Sequence, residues 1–284
     1  MAPDQIILAT DFSPASTAAS SMAARMAQLF KCRILLIHVF QYVAHHQYKI
    51  PVGWMIEIIR NDVKRQILNV RQAFTEMNIE TETLLVEDGF PVVEILNAAQ
   101  SHKASVIVMG THAVGGMDRF LLGSTAEGVL RGAICPVITV GPHVQPANAP
   151  QGIRRLLFAT DFSKESLNAV PFVAMLRDAA VASLQVLHVQ ADIDSVETSE
   201  TPLLDSLRMA LDAPDTARQH SATKYLTLHG AAVAQAISNE AERLPADLVI
   251  LGVKRASAFA AHLAPKVAFQ VIAAAPCAVL TISS

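Results

Sequence analysis

Asp11, Gly110 and the run Gly123-Ser124-Thr125 are the residues whose types and spacing best fit chemistry. Gly110 opens the segment Gly110-Thr111-His112-Ala113-Val114-Gly115-Gly116. Glycines there reach backbone conformations closed to other residues and let N–H groups approach an anion. Gly123-Ser124-Thr125 stands just before a predicted helix. A helix start offers free N–H donors and the positive end of the dipole, and Ser124 and Thr125 add hydroxyls. Thr10 and Asp11 close the first predicted strand, with Asp11 available to a sugar hydroxyl or a base edge. Together these groups suit a polyphosphate carried on a nucleoside. A plainer reading is that Ser124-x-x-Glu127 forms a capping box. The two readings are compatible, because capping and anion binding use the same helix end.

Other chemistries lack a residue set. There is no Gly-x-Ser-x-Gly elbow, no Gly-x-x-x-x-Gly-Lys-[Ser/Thr] loop and no Gly-x-Gly-x-x-Gly dinucleotide fingerprint. Catalytic and metal-ligating residues are therefore expected to be none. His45 and His46 sit among Tyr42, Tyr48 and Trp54 without a carboxylate or cysteine at ligand spacing. His38 and His188 fall at strand ends and read as hydrogen-bonded structural residues. Cys135 and Cys277 lie beside predicted buried strands, where packing explains them better than redox chemistry. Near the glycine segment Asp118 is the one acid before Glu127, which leaves a Mg2+ carboxylate or general base without an evident source.

The elements that hold these residues alternate. Residues 6–9 form a short β-rich run. Ser13 is a good N-cap and Pro14 suits the first helical position, where its missing N–H is harmless. Ala15, Ala19, Met22, Met26 and Phe30 then follow helical spacing. Residues 34–40 are almost unbroken apolar sequence, as expected of a strand covered on both faces. Ile56, Ile59, Val63, Ile67, Val70, Phe74 and Met77 mark a long amphipathic helix. Strand 84–86, helix 91–100, strand 105–109, helix 124–130 and strand 137–140 complete the series. Strands joined by helical crossovers lie parallel between two helix layers. In such a sheet, ligands bind beyond the carboxyl ends of strands, where the strand order reverses. The apolar excess at Trp54, Met55, Ile58 and Ile59 leaves two options open, burial within the domain or a contact with a partner.

The pattern occurs twice. Ile7-Leu8-Ala9-Thr10-Asp11-Phe12-Ser13 recurs 150 residues later as Leu157-Phe158-Ala159-Thr160-Asp161-Phe162-Ser163. Val106-Ile107-Val108-Met109-Gly110 recurs 142 residues later as Leu248-Val249-Ile250-Leu251-Gly252, and Cys135 recurs as Cys277 at the same spacing. The two copies define domains 1–144 and 152–284, with Pro142, Pro146, Pro150 and Gly152 punctuating the join. The second copy differs where the first could hold phosphate. Ala113 becomes Arg255, Gly116 becomes Ala258, Gly123 becomes Pro265, Ser124 becomes Lys266 and Thr125 becomes Val267. A proline has no N–H to offer, so the second copy is expected not to bind ATP in the manner of the first. Lys254, Arg255 and Lys266 read as solvated charges, with a different anion site as the alternative.

With these residues in view, the chain resembles a tandem member of the universal stress protein A family. That family carries an Asp after the first strand and a Gly-x-x-Gly-x9-Gly-[Ser/Thr] motif after the fourth. This chain reads Gly110-x-x-Ala113-x9-Gly123-Ser124. The resemblance implies two α/β, Rossmann-like domains of the adenine-nucleotide alpha hydrolase type. Each would hold a five-stranded parallel sheet flanked by helices in strand order 3-2-1-4-5, with the domains paired through their last strands. It further implies ATP, with or without Mg2+, bound in the first domain. Thr10 and Asp11 would lie near the adenosine, and the backbone around Val39 would meet adenine. Gly110, Ala113, Gly115, Gly116, Gly123, Ser124 and Thr125 would line the ribose and phosphates. The chain departs from the family at Ala113, where a left-handed backbone would cost about 1 kcal/mol. The function implied is a nucleotide-responsive stress protein, a binding module rather than an enzyme. Slow ATP hydrolysis, self-phosphorylation on Ser124 or Thr125, and a nucleotide-free dimeric scaffold are the alternatives.

Composition narrows the partners. Hydrophobic residues make up 52% of 284 and charged residues 17%, which excludes dominant disorder. A net charge of −3 gives no general reason to bind nucleic acid or anionic membranes. Three cysteines cannot build a disulfide framework. No basic residue precedes Arg25, so no secretory signal is read and a cytoplasmic protein is expected. The uncharged stretch 267–284 reads as a buried helix and strand rather than a membrane span, since Gln270 and Pro276 interrupt it. The expected partners are ATP, the other half of the chain in an internal pseudo-dimer, and a second copy of the chain.

Overall fold

The computed structural model describes residues 3–40, 52–111, 113–114, 121–144, 152–190, 200–211, 223–229, 232–254 and 266–283. In the first half the order is β1 (Gln5–Ala9), α1 (Pro14–Phe30), β2 (Arg33–Phe40), α2 (Val52–Glu76), β3 (Thr81–Glu87), α3 (Pro91–Ser101), β4 (Val106–Gly110), β5 (Ala113–Val114), β6 (Leu121–Leu122), α4 (Ser124–Gly132) and β7 (Val137–Val140). The second half runs β8 (Arg155–Thr160), α5 (Lys164–Leu167), α6 (Val170–Ala180), β9 (Ser183–Gln190), α7 (Glu200–Leu211), β10 (Lys224–His229), α8 (Val233–Arg243), β11 (Leu248–Val253), α9 (Lys266–Ala274) and β12 (Ala278–Ser283).

The strands form one ten-stranded sheet in the order β10-β9-β8-β11-β12-β7-β4-β1-β2-β3. Counted within each half, this is 3-2-1-4-5 twice, all parallel. The halves meet where β12 pairs antiparallel with β7, Val279 opposite Thr139 and Thr281 opposite Val137. Every residue of β1 is buried, and its side chains alternate between two cores. Ile6 and Leu8 pack with Met22, Met26 and Phe74 of α1 and α2, while Ile7 and Ala9 pack with Ile95 and Val129 of α3 and α4. That two-sided burial is why these strands read as continuous apolar runs.

Two differences between the halves have local causes. The counterpart of α1 breaks into α5 and α6 because Pro171 has no N–H to donate to Leu167, four residues earlier. Gly141, just after β7, lies so close to α9 that a Cβ on it would stand 2.4 Å from the Ile272 carbonyl oxygen. This bare backbone lets the second domain's last helix settle against the first domain's last strand. Among the described residues no helix is long and apolar enough to cross a membrane. The described part of the uncharged stretch, 267–283, is the helix α9 and the strand β12, with Val271, Ile272, Val279 and Leu280 fully buried. On α2, Val63, Ile67 and Phe74 face the core, but Trp54 and Ile58 are each 55% exposed. The apolar excess at the start of that helix is therefore not absorbed by the described core.

Candidate functional site

A cavity of about 330 Å³ opens at the carboxyl ends of β1, β2 and β4, the point where strand order reverses. Thr10, Asp11, Val39, Gly110, Gly123, Ser124 and Thr125 all line it. So do Ser16, Pro91, Ile95 and Thr111, which the sequence reading did not single out. The side chain of Ala113 and the whole of Gly115 and Gly116 lie outside the described residues.

The β1–α1 corner fixes Asp11. Ser13 caps α1, accepting from the Ser16 amide at 3.2 Å, and Pro14 takes the first helical position as expected. Asp11 Oδ1 accepts the Ser13 amide at 3.0 Å and also the Ser16 hydroxyl, while the Asp11 amide donates to Ser16 Oγ at 3.2 Å. Between them Phe12 is left-handed, φ 62°, with its amide bonded to Thr10 Oγ1 at 3.0 Å. Phe162 repeats this at φ 58° in the second half. Such a backbone costs a residue other than glycine about 1 kcal/mol or more, and here the surrounding hydrogen bonds hold it. Ser16 could have been found by noticing that Asp161 has Ser166 at the same distance along the chain.

Gly110 has a job besides any ligand. A Cβ there would stand 2.4 Å from the Ala15 carbonyl carbon and 2.6 Å from Ser16 N. Its counterpart Gly252 is equally confined against Glu165 and Ser166. The end of the fourth strand in each half therefore needs a glycine simply to let the first helix start beside it.

At the other wall, Gly123 is the N-cap of α4 with φ −58° and ψ 143°, a conformation open to any residue, and it offers no side-chain cap. The expected capping box does not form. Ser124 is already the first helical residue, and Glu127 instead binds Arg131 through Nε at 3.0 Å and Nη2 at 2.6 Å. The first amides of α4 thus reach the cavity without a competing side-chain oxygen. Ala113 pairs with Leu122 in a short antiparallel ladder, so its backbone is extended there and the methyl group carries no left-handed cost. Thr111 borders the cavity but is 3% exposed, and its hydroxyl is buried behind that wall with no hydrogen-bond partner among the described residues. A buried hydroxyl without a partner costs roughly 1–3 kcal/mol.

His38 sits behind the site. Its Nδ1 donates to the Thr10 carbonyl at 2.7 Å, which leaves Nε2 without a proton in the neutral ring. His188 does the same to Thr160 at 2.8 Å, so both histidines are hydrogen-bonded strand-end residues. Burial pushes the His38 imidazole below its ordinary 6.5, outweighing the Thr10 carbonyl and the Asp11 charge, which pull it up. The unfolded chain therefore takes up this proton first on acidification. The group's contribution is fully present above about 6.5 and is lost as the pH falls through the lower, folded value. Urea titrations at pH 7.5 and 5 are expected to show a loss of stability that is smaller in His38→Gln. An equal loss in the variant removes His38 as a source. Burial also pushes the Cys32 and Cys135 thiols up to about 11 and Cys277 to about 12, which keeps them as packing groups.

The second half holds a cavity of the same size, about 330 Å³. Thr160, Asp161, Ser166, Val189 and Gly252 line it in the positions of Thr10, Asp11, Ser16, Val39 and Gly110. Val253 and Val267 replace Thr111 and Thr125, and Lys254 joins the rim. Arg255, Ala258 and Pro265 lie outside the described residues, as do Tyr42, His45, His46, Tyr48 and Asp118. Among the described residues no cluster of His, Cys, Asp or Glu could hold a metal ion.

Two parallel five-stranded halves of one sheet, each of order 3-2-1-4-5 with a cavity beyond the ends of its first and fourth strands, define a tandem Rossmann-like α/β protein. The model of the universal stress protein family matches residues 3–141 and again 152–283. The chain belongs to that family, as a two-domain member. It is 31% identical over 138 residues to universal stress protein MJ0531 of Methanocaldococcus jannaschii, covering 48% of this chain and 81% of that one. It is 28% identical over 216 residues to universal stress protein Rv2623 of Mycobacterium tuberculosis, covering 70% of this chain and 67% of that one. A universal stress protein of Archaeoglobus fulgidus shares the fold over 99% of this chain and 96% of its own, with a TM-score of 0.76 at 20% identity.

Proposed function

We propose that the first domain's cavity binds ATP, and that the protein is a nucleotide-responsive binding module of the stress response. The observation that carries this reading is the uncapped start of α4. Gly123, Ser124 and Thr125 present amides and hydroxyls to the same cavity that Asp11 and Thr10 enter from the opposite wall. Adenosine would lie toward Asp11 and the Val39 backbone, and the phosphates toward Gly123, Ser124 and Thr125. The cavity fits the group's chemistry: one wall offers a carboxylate for hydroxyl donors, the other N–H and O–H donors for an anion. Mg2+, where present, would accompany the phosphates.

Binding without turnover is favoured over catalysis. Among the described lining residues Asp11 is the sole carboxylate, and it is already held by the Ser13 amide and the Ser16 hydroxyl on the nucleoside wall. Ser124 and Thr125 remain the places where self-phosphorylation would appear. Incubation with γ-labelled ATP separates the readings: recovery of intact bound ATP is expected, and labelled protein or steady phosphate release would favour an enzyme.

Thr111→Val tests whether the buried Thr111 hydroxyl turns toward the phosphates when ATP binds. Removing an unpartnered buried hydroxyl leaves stability unchanged or raises it by about 1 kcal/mol, while ATP affinity falls several-fold. Urea denaturation and calorimetry read the two effects, and unchanged affinity would take Thr111 out of the site. The uncovered Trp54 and Ile58 on α2 support a second copy of the chain as a partner, in a cytoplasmic homodimer. Sedimentation velocity reads that state, and a monomer at all concentrations would remove it.

A further inference from the structure

The geometry points to α2 as a two-fold interface, lying antiparallel on the α2 of a second copy of the chain with Gln66 at the axis. This rests on the reading of a second copy as partner, and names the face, register and fit by which it binds. The helix carries two seams. Val63, Ile67 and Phe74 turn to the core and are buried. Beside them Met55, Ile59, Asp62, Gln66, Asn69 and Ala73 step by four, three, four, three and four. That is the spacing of a helix packed lengthwise on another helix. Met55 is 39% exposed and Ile59 44%, although both are large and apolar, and Asn69 and Ala73 are exposed as well.

The two ends of the second seam differ in shape. Met55 and Ile59 put bulk at its start. Toward its end a groove of about 390 Å³ opens between α1 and α2, lined by Ser20, Ser21, Gln66, Ala73 and Met77. Small residues on α1 leave that room. In the second half Leu167, Val170 and Pro171 stand at the positions of Thr17, Ser20 and Ser21, and side chains of that size would narrow such a groove. Bulk and groove are evenly placed about Gln66. Met55 and Met77 stand eleven positions to either side of it, Ile59 and Ala73 seven. An antiparallel pair centred there therefore sets the bulky end of each helix in the groove of the other, and the two-fold makes the fit twice. Charge agrees with the shape. Asp62 pairs with Arg65 and accepts from Gln66 Nε2 at 2.7 Å. Near the axis this pair meets its own copy, two acids with two bases, so no net charge is brought together.

Sedimentation velocity of the full chain reads the dimer. Ile59→Lys and Ala73→Asp, both at exposed positions where the fold does not depend on the side chain, are each expected to weaken it about tenfold or more. Combined in one chain they restore it to within a few-fold, because the new charges face each other between copies. Within a chain they cannot pair, since fourteen helical residues at about 1.5 Å each hold them roughly 21 Å apart. Gln66→Cys is expected to be joined to its own copy by a short bismaleimide, whereas Lys64→Cys, on another face of the helix, is not. A dimer indifferent to both single variants, or one that the double variant does not restore, overturns this face and register and leaves the second-copy reading standing. A dimer without the Gln66→Cys cross-link overturns the register in the same way. A monomer at all concentrations overturns both.

Discussion

Gly123→Asp is expected to lower ATP affinity about 100-fold while leaving the protein as stable as the wild type, or slightly more so. The opposite signs come from one carboxylate. Gly123 caps α4 with a backbone conformation any residue can adopt, so aspartate enters without strain. It is a better N-cap than glycine by a few tenths of a kcal/mol, and its charge suits the helix dipole. The same charge then occupies the amides a phosphate would use. Two like charges about 4 Å apart near a protein surface repel by about 4 kcal/mol at an effective dielectric of about 20. Even partly screened, that repulsion is worth about two orders of magnitude in affinity. Calorimetry and thermal melting of the same sample read both effects. Retained affinity would mean that phosphates do not rest at this helix end. Lost stability would mean that the cap geometry is wrong.

Gly110→Ala carries the largest expected effect on stability, a loss of about 3 kcal/mol. The added methyl would meet Ala15 and Ser16 backbone atoms at 2.4–2.6 Å, and backbone cannot swing aside as a side chain can. Gly252→Ala, at 2.3 Å from Ser166 Cα, is expected to match it. Gly152→Ala meets nothing within 4 Å and serves as the neutral control. Urea denaturation orders the three. A neutral Gly110→Ala would show that α1 can retreat from β4. A binding defect in Gly110→Ala therefore reports a displaced helix rather than a missing phosphate contact.

These glycines show where sequence reasoning reached and where it stopped. Gly110 was legible as special, and as part of a ligand loop. Its constraint from α1 was not, because the contact joins residues almost a hundred positions apart. Yet the repeat held the clue: Gly252 keeps the glycine although the residues aligned with Gly123 and Ser124 have changed. The strands, the Ser13-Pro14 helix start and the parallel order followed from local patterns and from chirality, which act over a few residues. The capping box failed because α4 begins one residue earlier than the motif required, leaving Glu127 to pair with Arg131. Thr111 escaped notice since an unpartnered hydroxyl can be seen only once its surroundings are built. The short β5–β6 ladder, two residues a side, lies below what periodicity detects.

The twinned cavities turn the central claim into a difference within one molecule. Equal volumes, and inner walls that share Thr, Asp, Ser, Val and Gly at matching positions, mean that size does not separate the two sites. What separates them is the chemistry of one helix start and one strand end. Calorimetric titration of ATP into the full-length chain tests this most directly. A single equivalent per chain is expected, lost in Gly123→Asp. Two equivalents of similar affinity, or a single equivalent that survives Gly123→Asp, would contradict it.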